Sequence, residues 1–116
     1  GAVSATLTRF VVEPFVEHVQ SDEHYICIQS TRSGDELLWC PDGGVDVGDV
    51  DAKGRRLLIP IGEKLSSDDV VAKLLHDMPA DRANAVSAFL VSLFQAYVDM
   101  HFTYLEINPL VVIQSK

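Results

Sequence analysis

The 116-residue chain is 47% hydrophobic and carries 9 Lys and Arg against 17 Asp and Glu, a formal net charge of -8. That length suits one hydrophobic core, and that apolar content argues against disorder. So acidic a surface repels nucleic-acid and membrane phosphates alike, and no apolar run approaches the roughly 20 residues of a membrane-spanning helix.

No charged start leads into an apolar stretch, so no secretory signal is visible. Cys27 and Cys40 sit in separate apolar runs without a CxxC partner. The expectation is two reduced, buried thiols of a cytoplasmic protein, not a disulfide or a zinc site.

The first half reads as strands. Arg9-Phe10-Val11-Val12-Glu13 is a short apolar run closed by Pro14. Residues 23–31 are rich in aromatic and β-branched side chains, Ser33-Gly34-Asp35 supplies a turn, and Glu36-Leu37-Leu38-Trp39-Cys40 returns as the second arm of a hairpin. Pro41-Asp42-Gly43-Gly44 breaks that arm, and the mixture of Val, Asp and Gly over residues 45–54 predicts a loop. Arg56-Leu57-Leu58-Ile59-Pro60 reads as a further short strand ended by its proline.

The second half turns helical. Ser66-Ser67-Asp68-Asp69 carries a capping-box pattern, with acidic residues in the positive first turn. Val70, Val71, Leu74 and Leu75 share one face of that helix, and Pro79 is its expected stop. Asp81 is the expected cap of a longer helix in which Val86, Phe89, Leu90, Leu93, Phe94 and Tyr97 make one broad apolar stripe. Phe89, Leu93 and Phe94 are therefore expected in the core, and Gln95 outside it. Residues 102–113 close the chain as a strand interrupted by Pro109. Strands, then helices, then a strand predict an α+β class, with a mainly antiparallel sheet and helices packed on one face.

Chemistry concentrates at the two ends. Alternation along the last strand puts Leu105 and Ile107 on one face and Glu106 with Asn108 on the other. A carboxylate beside an amide oxygen suits a hard cation such as Mg²⁺, although an E-x-N pair taken alone is more often a strand's solvated face. Pro109 cannot donate to a ladder, so an edge or a bend is expected there. Near the start, Glu13 stands alone among apolar residues, and Glu23 follows a polar loop. An extended segment beside a proline presents backbone groups to a flat ligand; the plainer reading is a strand leaving the core. Residues 43–51 hold three aspartates without EF-hand spacing and without the G-K-[ST] ending of a P-loop. His18, His24, His76 and His101 have no i,i+4 partner and read as surface or hydrogen-bonded side chains.

Three segments then converge. Phe10-Val11-Val12-Glu13-Pro14-Phe15-Val16-Glu17-His18, Gly43-Gly44-Val45-Asp46-Val47-Gly48-Asp49-Val50-Asp51-Ala52-Lys53 and Phe102-Thr103-Tyr104-Leu105-Glu106-Ile107-Asn108-Pro109-Leu110-Val111-Val112 resemble ATP citrate lyase, in that family's order and at about its spacing. The Glu-Ile-Asn-Pro-Leu core is similar to the wider ATP-grasp group that includes succinyl-CoA synthetase β chains. The glycine-aspartate string is the more specific of the two and favours the citrate enzyme.

The resemblance implies an ATP-grasp fold, in which two α+β subdomains hold ATP between them. Residues 1–116 would be a single domain, the second of those subdomains and a fragment of a larger enzyme. That enzyme phosphorylates its own histidine with MgATP, passes the phosphoryl group to citrate, and forms citryl-CoA, which splits into acetyl-CoA and oxaloacetate. By the same resemblance Glu13, Pro14, Phe15 and Val16 match the hinge strand that contacts adenine, and Glu23 the acid that takes the ribose hydroxyls. Glu106 and Asn108 match the metal-binding strand, with Asn108 the direct ligand. No role follows for residues 43–51, and no catalytic residue falls in this chain. The phosphate-holding Lys and Arg, a further metal-binding Asp, the phosphohistidine, and the citrate and CoA sites are expected elsewhere in a homo-oligomeric parent. Partners are then ATP and the rest of that enzyme, not nucleic acid or membrane. If ATP spans the site, Glu106 and Asn108 should be accessible, free of structural partners, and on the same side of the sheet as Glu13 and Glu23. A succinyl-CoA synthetase-like chain and a non-catalytic acidic interaction module are the competing readings.

Overall fold

The β-branched and aromatic runs pair into one antiparallel sheet of β1 (Glu23–Thr31), β2 (Gly34–Cys40), β3 (Arg55–Pro60) and β4 (Tyr104–Val111), in the order β3-β2-β1-β4. The computed structural model describes residues 4–44 and 49–113, so part of the glycine-aspartate loop, residues 45–48, lies outside the described residues. β1 and β2 pair from Tyr25 with Cys40 to Thr31 with Gly34, which leaves Arg32 and Ser33 as the turn instead of Ser33-Gly34-Asp35. Gly34 belongs to the strand because β3 runs close beneath it. A Cβ there would meet the Ile59 carbonyl oxygen at 2.1 Å, and its φ of 146° is one that side chains rarely adopt.

Among the described residues the sheet is accompanied by a 3-10 turn at Gln20–Asp22 and by the α-helices α1 (Val50–Lys53), α2 (Ser67–Leu74) and α3 (Ala80–Asp99). The single turn of α1 replaces part of the loop expected over residues 45–54. Asp49 starts it, its Oδ1 accepting from the Ala52 N–H at 3.1 Å. Ser66 caps α2 as its sequence predicts, through a long contact of 3.5 Å from the Asp69 N–H. α2 ends at Leu74, well before Pro79. Asp81 is not the cap of α3: the helix begins at Ala80, the Pro79 carbonyl accepts from the Ala83 N–H at 2.8 Å, and Asp81 lies in the first turn, where the helix dipole favours an acid.

One face of the sheet carries Ile26 and Ile28 of β1, Leu37 and Trp39 of β2, and Leu57 and Ile59 of β3. Val70 and Leu74 of α2 and Val86, Leu90, Phe94 and Tyr97 of α3 close over them. Each such side chain contributes about 1.5–3 kcal/mol by leaving water. The buried seam of α3 is narrower than its sequence suggests. Ala83 and Ser87 complete it, Leu93 is half-buried, and Phe89 is 41% exposed at its flank, contrary to the expectation that Phe89 lies in the core. The helix docks on residues three and four apart, and position 89 turns away from that line. On the opposite face a smaller cluster of Tyr25, Cys27, Leu38 and Cys40 packs against Val50 of α1, and both cysteines are buried free thiols.

The expected strand at Arg9–Glu13 does not form. Residues 4–19 have no regular structure, and Phe10 is 74% exposed. The run pairs with neither of the sheet's edge strands, β3 or β4, and because it is exposed its backbone N–H and C=O groups are left to water. No helix among the described residues is long and apolar enough to cross a membrane.

Candidate functional site

Period-two alternation decides what the open face of the sheet presents. Leu105 and Ile107 pack into the helix-side core, which turns Glu106 and Asn108 outward to the other face. Both are exposed, and Glu106 pairs in register with Cys27 of the small open-face cluster. Between His24 and Ile26 the β1–β4 register slips, so Asn108 and Pro109 together oppose Tyr25. The proline that cannot donate thus sits in a bulge on the sheet's edge strand, as its sequence predicts; the Asn108–Pro109 bond is cis.

The glycine loop after β2 crosses this end of the sheet. The Gly43 N–H donates to the Glu23 carbonyl at 2.9 Å. The Gly44 N–H donates to Asn108 Oδ1 at 2.8 Å. Only glycine fits at either position: a Cβ on Gly43 would meet the His24 carbonyl oxygen at 2.5 Å, and one on Gly44 would meet Glu23 Oε2 at 2.1 Å. Gly44 also has a φ of 89°. The loop therefore brings the Glu23 carboxylate and the Asn108 amide to one peptide unit.

His18 completes the group. Its Nε2 lies 3.1 Å from Glu23 Oε1 and its Nδ1 2.6 Å from the Val16 carbonyl oxygen. The hydrogen bond to the Val16 carbonyl, then that to Glu23, hold its pKa above the usual 6.5 against some desolvation. Phe15 packs its ring 5.5 Å from the imidazole. On β4 the Tyr104 hydroxyl donates to Glu106 Oε2 at 2.5 Å, and that bond pushes the phenol's pKa up.

Against the sequence expectations, Glu23, Glu106 and Asn108 do share the open face. Contrary to the expectation that Glu106 and Asn108 are free of structural partners, Asn108 Oδ1 is engaged by Gly44 and Glu106 by Tyr104, because exposed oxygens on a strand are within reach of the next loop and of the residue two positions away. Glu13, Pro14, Phe15 and Val16 lie in the exposed segment outside the sheet, so Glu13 shares no sheet face with Glu23, and Val16 and Phe15 reach the group through His18. His18 and Gly44 had no assigned part in the sequence reading. For Gly44 the paired glycines were the available signal, and for His18 there was none, since its link to Glu23 depends on how the chain turns at residues 20–22. A groove between the loop after β3 and α3, lined by Pro60, Leu65, Phe94 and Val98, touches none of these residues.

Comparison with known proteins bears on the fold and the family. A family model described as the ATP-citrate synthase ATP-grasp domain matches residues 1–116. The chain is 49% identical over 112 residues to ATP-citrate synthase of Mus musculus, covering 97% of this chain and 10% of that protein. It is 52% identical over 111 residues to the probable ATP-citrate synthase subunit 2 of Schizosaccharomyces pombe, covering 94% and 23%. The structure of ATP citrate lyase from Methanothrix soehngenii in complex with citrate and coenzyme A superposes with a TM-score of 0.73 at 32% identity, covering 88% of this chain and 23% of that one. The chain thus spans between a tenth and a quarter of these relatives, and it belongs to the family of ATP-citrate synthase ATP-grasp domains.

Proposed function

We propose that this chain is the nucleotide-gripping part of an ATP citrate lyase, the second subdomain of its ATP-grasp domain. The convergence of Glu23 and Asn108 on Gly44 carries the reading. It sets a carboxylate suited to a ribose and an amide oxygen suited to a metal at the two sides of one loop, on a face of the sheet that α2 and α3 leave open. In this reading the backbone of residues 13–16 receives the adenine, which suits its exposure and its apolar side chains. Glu23 accepts the ribose hydroxyls.

Glu106 and Asn108 fit Mg²⁺ as part of its shell. Both offer oxygen, both are exposed on one face, and each keeps acceptor capacity beyond its bond from Tyr104 or Gly44. Held there by the Glu106 and Asn108 side-chain oxygens, Mg²⁺ would supply positive charge to a nucleotide's phosphates. The net charge of -8 makes the cations that must also surround a γ-phosphate the contribution of other parts of the enzyme.

The whole enzyme then uses ATP, citrate and CoA to give acetyl-CoA and oxaloacetate through a phosphohistidine and citryl-CoA. Its relatives' names support this, as do a Methanothrix soehngenii enzyme bound to citrate and coenzyme A and a Methanosaeta concilii enzyme bound to (3S)-citryl-CoA. The two reduced thiols suit a cytoplasmic setting. Titration of MgADP into the whole subunit tests the site: Glu23→Ala should weaken binding at least about tenfold, the loss of hydrogen bonds to a charged group. Unchanged affinity would overturn the assignment.

A further inference from the structure

We propose that His18 is a positioning residue of the nucleotide site, an imidazolium that ties the Val16 backbone to the Glu23 carboxylate and so fixes the ribose acid relative to the adenine-binding segment. The inference rests on the nucleotide-site reading above and extends it to a residue that touches neither base nor ribose in that reading.

Both ring nitrogens face acceptors, the Val16 carbonyl oxygen at 2.6 Å and Glu23 Oε1 at 3.1 Å. A neutral imidazole carries one N–H and satisfies one of them; the imidazolium carries two and satisfies both. The charged groups facing the ring favour that form. Glu23 stands at the start of β1 and Asp22 in the preceding turn, with Arg82 of α3 drawn to Asp22 at 3.3 Å. The other oxygen of Glu23 occupies the space a Gly44 side chain would need, so His18 holds the carboxylate through Oε1 while Oε2 lies against the glycine loop.

The consequence is preorganisation. Residues 4–19 have no ladder to hold them, and the bond through His18 closes residues 16–23 onto the sheet. A nucleotide that needs both the hinge backbone and the ribose acid then meets them already set at one spacing, and the cost of ordering the segment on binding is reduced. Deprotonating the ring removes one of its two donors and frees either the segment or the acid.

MgADP affinity of the whole subunit, measured from about pH 6 to about pH 8.5, tests this. The comparison is between the unsubstituted enzyme, His18→Gln, His18→Arg and Glu23→Ala. Titration of the nucleotide's own phosphates is common to all four and cancels in the ratios. His18→Gln is expected to bind about tenfold more weakly at the acid end, the size of a lost charge-assisted contact, and the gap should shrink several-fold toward the alkaline end, as wild-type His18 gives up its proton. His18→Arg keeps a permanent charge and several donors, so it should retain most of the affinity and show the smaller pH dependence. If Glu23→Ala weakens binding while His18→Gln matches the wild type at every pH, the positioning role is overturned and the nucleotide site stands. If Glu23→Ala has no effect, the nucleotide site falls and the positioning role with it.

Discussion

On the side of the sheet that meets α2 and α3, Ile26, Trp39, Val70 and Leu90 lie within about a percent of complete burial, and position follows from packing alone. On the other side Glu23, Glu106 and Asn108 are partly or fully exposed and are held by single hydrogen bonds to His18, Tyr104 and Gly44. The same strands make both surfaces, alternating residue by residue. The helix side stabilises the fold through area removed from water. Outside its small buried cluster around Cys27 and Cys40, the open side adds little stability and instead fixes polar atoms at defined spacings, which is what a ligand site requires.

Adjacent positions on α3 give the sharpest test of that division. Leu90→Ala should cost about 2–5 kcal/mol, since the side chain is fully buried and leaves a cavity. Phe89→Ala, at 41% exposure, should cost well under half as much although it removes more atoms. Urea denaturation of both variants checks the pair, and equal losses would mean that α3 is rotated from the register described.

Two glycines separate backbone strain from the site. Gly44 and Gly62 both have positive φ, 89° and 83°, but a Cβ on Gly62 meets open space while one on Gly44 meets Glu23 Oε2. Gly62→Ala should therefore cost about 1–2 kcal/mol, the strain of the left-handed conformation. Gly44→Ala should cost that and also weaken MgADP binding in the whole subunit, because the carboxylate must move. Equal stability losses with unchanged nucleotide affinity would show that the loop does not hold Glu23. Asn108→Ala should cost only about 1 kcal/mol of stability, one hydrogen bond from the Gly44 N–H, yet reduce citrate-dependent turnover of the whole enzyme strongly. Turnover within about twofold of the unsubstituted enzyme would remove Asn108 from the metal site.

The helix side was the more legible half in sequence because burial has a period. Ile26 with Ile28, and Val70 with Leu74, announce their faces by spacing. Phe89 shows the limit of that signal, since a hydrophobic stripe gives the direction of a core but not how wide a strip the neighbouring sheet covers. Arg9–Glu13 shows another, since local strand propensity does not say whether a run will join a sheet: β3 and β4 are edge strands, and the run pairs with neither. The open side was legible at Glu106 and Asn108 through alternation. The parts joining them were not: the contacts of Gly44 with Glu23 and Asn108, and of His18 with Glu23, are set by where a loop crosses the sheet, which no local pattern encodes.

Two histidines, one on each side of this comparison, should respond to pH with opposite sign. His24 is buried on the helix side, 6% exposed, stacked on Trp39 at 4.9 Å with Nδ1 donating to the Pro41 carbonyl at 2.8 Å. Its Nε2 has no hydrogen-bond partner among the described residues. Desolvation, the largest influence, lowers its pKa from the usual 6.5 despite the Pro41 bond. Below that value the unfolded chain takes up a proton that the folded chain refuses, so stability falls on acidification from about pH 6.5 downward. His18 has a raised pKa: its contribution is complete below 6.5 and is lost as pH rises through the folded value. Further down, Arg55 holds the Asp77 carboxyl at about 2 against an ordinary 3.8, so that contribution is present above 3.8 and disappears between 3.8 and about 2. Urea midpoints at intervals from about pH 5 to about pH 8 would separate the two histidines. His24→Asn, which keeps a donor but cannot titrate, should abolish the acid-side loss. His18→Gln should leave that loss in place and remove the alkaline one. If His24→Asn leaves the acid slope unchanged, the buried neutral imidazole is not its source, and the contrast drawn here between the two sides of the sheet does not extend to their titration.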